Sequence, residues 1–327
     1  MKNRLSYRLV LMGLGSLVLS YPAAAVVVAG ANGGAGTTHN TTVGQLNTAL
    51  GTTFSNFNNV IKYSDSSGVY LGYNPGTKDV WVMSARHVSA TGNGSTLTID
   101  GNLYTQQGSQ VIIANSDIVL IKYKNALNLV PSMPSVSLAS VAPAINKQII
   151  MLGWGVDRVQ GPSTDANTSD AVAVTGGNGS GYVWRSYPPA SNQFLRWGTN
   201  NVDTPVQTYN MGGIYTTSAW SADFDQPTAG QWLTSNEASA ALLDSGSGAF
   251  AFIDGTWQLV GTASGTFASS FVSPFTSGSN YQGTIYTNVS SYHSAITSAI
   301  GITLVPEPST PGLLLLGCLG LLMNRRR

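Results

Sequence analysis

Leu242-Leu243-Asp244-Ser245-Gly246-Ser247-Gly248-Ala249-Phe250 decides how this chain reads. A serine set between an acid and a glycine, directly ahead of an apolar run, is a hydroxyl held on a tight turn at the mouth of a strand. Serine alone is a poor nucleophile near neutral pH. It needs a neutral imidazole to take its proton and a carboxylate to fix that imidazole's tautomer. Both are found upstream, each at the end of an apolar run. His87 follows one in Met83-Ser84-Ala85-Arg86-His87-Val88, and Asp117 heads one in Ser116-Asp117-Ile118-Val119-Leu120-Ile121. Asp79 and Asp100 are alternative acids, but neither heads such a strand. Ser247 is an alternative nucleophile that lacks the preceding acid. Taken singly, His87, Asp117 and Ser245 also fit packed or turn positions; their order along the chain favours the chemical reading.

Outward from this stretch, short Val- and Ile-rich segments alternate with Gly, Asn and Pro turns, the pattern of an all-β barrel or sandwich. Val60–Tyr63, Val69–Tyr73, Val80–Met83, Leu97–Ile99, Val111–Ile113 and Ile118–Ile121 form a first set of strands. Leu127–Ala144, with Pro131, Pro134 and Pro143, reads as an extended linker. Gln148–Gly155, Ala171–Val174, Phe194–Trp197, Ala249–Ile253 and Trp257–Gly261 form a second set. The expected architecture is two antiparallel β-barrels in tandem. Residues 156–181 and 198–236 read as long surface loops, and residues 26–50 carry no clear pattern. Val289, Tyr292, Ile296 and Ile300 recur at helical spacing, so a helix over about 288–300 closes the domain, capped by Asn288 or a nearby serine. His293 lies off its apolar stripe and is expected to face solvent.

Composition narrows the function. Setting aside Lys2, Arg4, Arg8, Arg325, Arg326, Arg327 and Glu307 in the terminal segments leaves nine Lys+Arg against thirteen Asp+Glu, a net −4. With no basic run, nucleic acid is not an expected partner. The single cysteine, Cys318, lies in the C-terminal segment, which leaves the domain without disulfides. No cluster has zinc-site spacing, so neither a metal nor any other cofactor is expected.

Four local matches in order make the chain resemble the chymotrypsin/trypsin-like serine peptidase family. Ser84-Ala85-Arg86-His87-Val88 stands where that family has Thr-Ala-Ala-His-Cys, and Asp117-Ile118-Val119-Leu120 where it has Asp-Ile-Ala-Leu. Ile150-Met151-Leu152-Gly153-Trp154-Gly155 resembles the strand opening its second barrel, and Asp244-Ser245-Gly246 its nucleophile loop. Gln258-Leu259-Val260-Gly261 and Ile285–Tyr292 are supporting matches, and the likeness spans about residues 60–300. It implies a domain over 26–300, with barrels at about 55–140 and 145–287, hydrolysing peptide bonds of a peptide or protein substrate. His87, Asp117 and Ser245 would be catalytic, and the backbone N–H groups of Leu243 and Ser245 would form the oxyanion hole. Ser239, six residues before Ser245, would lie at the base of the substrate pocket, with Ser264 and Thr266 on a lining strand. Without an aspartate at Ser239, small or apolar side chains are expected rather than Arg or Lys. Leu243 replaces a glycine of the family's loop, and Ser247 replaces another. The family's usual N-terminus has only a loose echo in Val26-Val27-Val28-Ala29-Gly30, whose freed amine is one candidate partner for Asp244. These departures keep open a catalytically inactive, peptidase-like binding or matrix protein, and a β-rich surface adhesin of unrelated origin.

The two ends read as addresses. Lys2, Arg4 and Arg8, then apolar Leu9–Leu19, then Ala23-Ala24-Ala25 have the three parts of a signal peptide over residues 1–25. Val305-Pro306-Glu307-Pro308-Ser309, apolar Leu313–Met323 and Arg325-Arg326-Arg327 resemble the PEP-CTERM sorting signal of Gram-negative bacteria over residues 305–327. That resemblance implies an exosortase-type processing partner and transient inner-membrane association through the C-terminal helix. Delivery to the cell surface or extracellular matrix would follow. The basic end is expected to stay cytoplasmic.

Overall fold

The computed structural model describes residues 26–28, 42–89, 95–155, 158–160, 172–175, 181–184, 195–224, 236–240, 243–268 and 282–301. Both terminal address segments lie outside them. The unassigned N-terminal region supplies a two-residue strand, β1 (Val27–Val28), and a helix, α1 (Val43–Leu50). Thr42 and Gln45 form a reciprocal capping box at the start of α1, and left-handed Gly51 ends it.

The first sheet comprises β2 (Val60–Tyr63), β3 (Ser66–Tyr73), β4 (Val80–Ala85), β5 (Thr96–Ile99), β6 (Asn102–Gln106), β7 (Val111–Ile112) and β8 (Ile118–Lys124). A short helix, α2 (Arg86–Ser89), leaves the end of β4. The strands run antiparallel in the order β2-β3-β4-β8-β6-β5, with β7 also on β8. The second sheet begins with β9 (Gln148–Gly153). After it come three short strands, β10 (Arg158–Gln160), β11 (Val172–Thr175) and β12 (Gly181–Trp184), which form a separate small sheet. Next are β13 (Arg196–Asn201), β14 (Gln207–Met211), β15 (Tyr215–Phe224), β16 (Ala238–Ser239), β17 (Gly248–Ile253), β18 (Thr256–Ala268) and β19 (Gln282–Asn288). The second sheet has the order β13-β9-β17-β18-β19-β15-β14, again antiparallel, while β16 pairs with β1. Helix α3 (Val289–Ile300) closes the described chain. Two antiparallel sheets in tandem, then a helix, are the all-β arrangement expected from the sequence.

Why the strands read as continuous apolar runs is now plain. The central strands β4, β8 and β9 bury both faces, one into their own sheet and one into the core shared by the two sheets. On β8, Val119 and Ile121 join Tyr63, Tyr70 and Tyr104 inside the first sheet, while Ile118 and Leu120 face the shared core. On β9, Ile149 and Met151 pack with Trp220 and Tyr286 inside the second sheet, while Ile150 and Leu152 face the shared core. Phe250 of β17 and Val289, Ile296 and Ile300 of α3 join them there. The two sheets are thus held in fixed relation by apolar packing, and a site that draws residues from both is preorganised.

Four expectations need correction. Residues 198–224 are not a surface loop: they complete β13 and form the β14–β15 hairpin. The segment is Thr- and Tyr-rich rather than Val- and Ile-rich, and Thr and Tyr are strand formers. Residues 156–181 likewise include β10, alongside β11 where a strand was expected. His293 is half-buried rather than fully solvent-facing. Asn288 occupies the cap position of α3, but its side chain donates to the Ser290 and Ser291 hydroxyls instead of capping the backbone.

Candidate active site

Three side chains far apart in the chain meet at the junction of the sheets. Ser245 Oγ lies 2.6 Å from His87 Nε2, and His87 Nδ1 lies 2.8 Å from Asp117 Oδ2. The partners are 158 and 30 residues apart in sequence. With the ring proton on Nδ1, the imidazole donates to Asp117 and accepts from the Ser245 hydroxyl. That is the tautomer a general base needs.

Each side chain is aimed by the element it terminates. His87 sits in α2, where the chain turns off β4. The Arg86 N–H donates to the Asp117 carbonyl at 3.1 Å, and the His87 N–H donates to Asp117 Oδ1 at 3.1 Å. Asp117 heads β8 and is fully buried. A carboxylate in that position is costly unless hydrogen-bonded. It receives a further donor that sequence reading missed: the Tyr215 hydroxyl, 2.5 Å from Oδ1. Burial first, then the negative charge of Asp117, push the Tyr215 phenol well above its usual range. It therefore remains a donor at any working pH. The Arg86 guanidinium lies over the Tyr215 ring, 4.9 Å from its centroid.

Ser245 sits on a turn closed by the Ser247 N–H on the Asp244 carbonyl, at 2.7 Å. This turn is stapled to the first sheet through Ser67 of β3. The Ser67 N–H donates to the Ser245 carbonyl at 3.1 Å, and its hydroxyl donates to the Leu243 carbonyl at 3.2 Å. The Ser84 hydroxyl in turn donates to the Ser67 carbonyl at 2.8 Å. Gly246 has φ +84°, and a Cβ there would stand 2.3 Å from both Ser67 O and Ser84 Oγ. Only glycine satisfies both the conformation and the fit.

Leu243 adopts φ +78°, the left-handed region that a glycine would occupy without cost. The loop thus keeps a glycine-type geometry with a leucine in it. No described residue accepts a hydrogen bond from the N–H of Leu243 or of Ser245. Asp244 is fully buried, and its carboxylate lies so close to Gly153 that a Cβ there would fall 1.7 Å from Oδ1. Burial raises its proton affinity well above the ordinary carboxylate range; the Arg196 cation and the Gly155 backbone N–H oppose that rise. Arg196, itself buried, is the cross-strand partner of Gly153. Sequence reading did not single it out.

Of the residues expected to form a substrate pocket, Ser239 and Ser264 are buried, and each bonds to a threonine hydroxyl. Ser239 on β16 bonds to Thr284 at 3.3 Å, and Thr284 Oγ1 also accepts from the Ala240 N–H at 2.8 Å. Ser264 on β18 bonds to Thr287 at 2.7 Å. Thr266, two residues on, is half-buried and opposite Thr284 in the β18–β19 register. Sequence reading did not single out Thr284.

No protein-family model matches the chain, and no curated protein matches it in sequence. Among solved structures it is similar to kallikrein-related peptidase 10 in complex with Zn2+. The identity is 16%, 72% of this chain and 89% of that one are covered, and the TM-score is 0.40. Among the described residues, no group of three or more His, Cys, Asp or Glu could hold a metal ion. None of the described helices is long and apolar enough to cross a membrane.

Proposed function

We propose that this chain is an exported serine endopeptidase that cleaves peptide bonds through an acyl-enzyme. The observation that carries the reading is the unbroken hydrogen-bonded relay from Ser245 Oγ through the His87 imidazole to a buried Asp117 carboxylate. Ser245 Oγ attacks the scissile carbonyl as His87 Nε2 takes its proton. Asp117 keeps the ring oriented and stabilises the imidazolium. The N–H groups of Leu243 and Ser245 receive the oxyanion; one such donor is worth about 3–4 kcal/mol to the transition state. The imidazolium then protonates the leaving amine. Water, deprotonated by His87, attacks the acyl-enzyme, and the proton returns to Ser245 as the acid product leaves.

The pocket reading follows from the same residues. With Thr284 hydrogen-bonded across Ser239, the base is filled by short polar side chains and carries no carboxylate at Ser239. Small uncharged substrate side chains fit such a floor. The direct test is labelling of the full chain by a fluorophosphonate. Wild type should label and Ser245→Ala should not, with both melting at similar temperatures. Persistent labelling of the alanine variant would reject Ser245 as the nucleophile.

A second reading, an inactive peptidase-like surface protein, is favoured by one observation, the leucine at φ +78° in the nucleophile loop. It predicts no labelling of a correctly folded wild type. We further propose that residues 1–25 direct export and residues 305–327 direct exosortase-type sorting to the surface or matrix. Intact mass of the protein recovered from its host should lack both segments. Recovery with both termini retained would contradict that part.

A further inference from the structure

We infer that Tyr215 is a positioning residue for the proposed reaction, and that the β14–β15 hairpin is the arm by which the second sheet grips the acid of the first. The inference rests on the reading of Ser245, His87 and Asp117 as a catalytic relay.

Asp117 must present Oδ2 to the imidazole in one orientation. What fixes that orientation is the set of donors on Oδ1: the His87 N–H at 3.1 Å and the Tyr215 hydroxyl at 2.5 Å. The first is long and comes from the residue being oriented. The second is shorter, charge-assisted and independent of His87. The same strand holds Asp117 a second time, since the Asp117 N–H donates to Thr217 Oγ1 at 3.4 Å. Thr217 is fixed in turn by Thr287, at 2.9 Å. Strand β15 thus meets both the carboxylate and the amide of one residue in the other sheet.

The hairpin also reaches the expected substrate side. Met211 is the cross-strand partner of Tyr215, and its methyl lies 3.6 Å from where a Cβ on Gly265 would stand. Gly265 follows Ser264 on the strand that the resemblance assigns to substrate. One two-stranded arm therefore touches both the acid of the relay and the substrate strand.

The electrostatic consequence has a definite sign. A donor on Oδ1 draws charge from the carboxylate and weakens its hold on an imidazolium. Removing the donor while keeping the ring leaves a more basic, less firmly oriented carboxylate. Against Asp117 stand His87 and Arg86 from the α2 segment and Tyr215 from β15, while Tyr292 of α3 lies two residues upstream at Asn115. The Tyr292 phenol donates to the carbonyl of Asn115, 2.5 Å away. Tyr215→Phe changes only one of these and preserves the ring beneath Arg86.

The experiment compares the pH dependence of fluorophosphonate labelling in the full chain and in Y215F, with melting temperature as a check on folding. Labelling should slow about tenfold in Y215F, the scale of one hydrogen bond to a charged group. Its acid limb should move to higher pH by about half a unit. A purely packing role for the ring would leave that limb in place. Where wild type labels, an unchanged rate and limb in Y215F overturn this inference and leave the proposed function standing. Where neither chain labels, the proposed function fails, and NMR titration of the His87 ring decides this inference alone. Titration at higher pH in Y215F supports it, and an identical titration overturns it.

Discussion

The two halves of the site are built differently. On the first-sheet side, His87 and Asp117 hold each other through side chain and backbone, and a phenol from the second sheet completes the carboxylate. The His87 ring and both Asp117 carboxylate oxygens are hydrogen-bonded, and neither residue has a positive φ. On the second-sheet side, the nucleophile loop carries a left-handed leucine and a buried acid whose charge is opposed by Arg196. The base-and-acid half is stabilised by what it satisfies. The nucleophile half is held in a costly conformation by its surroundings: Ser67 on one flank and the Gly153–Asp244 contact on the other. Strain concentrated on the Ser245 turn fits the general finding that such cost persists only where neighbours over-determine the backbone.

Changes on the strained side should therefore have the largest effects. Gly246→Ala would force a Cβ to 2.3 Å from Ser67 O and Ser84 Oγ at a positive φ. It is expected to destabilise by about 3 kcal/mol or more and to abolish labelling of Ser245. A chemical denaturation curve matching wild type would break the claim that the loop is clamped against β3. A smaller change of opposite sign is expected from Leu243→Gly. It relieves about 1–2 kcal/mol of left-handed strain, offset in part by the greater freedom of glycine in the unfolded chain, about 0.4–1 kcal/mol. Net stability should rise by up to about 1.6 kcal/mol, with labelling at least as fast as wild type. A clear loss of stability would show that the leucine side chain contributes more than its backbone costs, and the contrast between the two halves would shrink.

The same contrast explains how far the sequence could be read. His87, Asp117 and Ser245 were legible because each stands where an apolar strand begins or ends: after Val80–Ala85, before Ile118–Lys124 and before Gly248–Ile253. A strand end fixes direction, so local pattern sufficed. Tyr215, Arg196 and Thr284 were not legible, because their roles exist only through contacts between elements far apart in the chain. Tyr215 was doubly hidden. It lies in a Gly- and Thr-rich stretch that reads as loop, at a sheet edge where one strand, β14, is mostly exposed and shows little apolar alternation. Leu243 was legible as an anomaly, a bulky residue where the loop calls for left-handed geometry. Whether the chain would avoid that geometry or adopt it depended on Ser67, which no local pattern connects to it.

The central claim is that the hydroxyl on this strained turn is a working nucleophile served by His87. Its most direct measurement is peptide mapping by mass spectrometry after the full chain reacts with a fluorophosphonate. A single phosphonyl adduct on Ser245, absent when His87 is replaced by alanine, is the result expected. An adduct on another residue, or none on a chain that melts cooperatively, would contradict it.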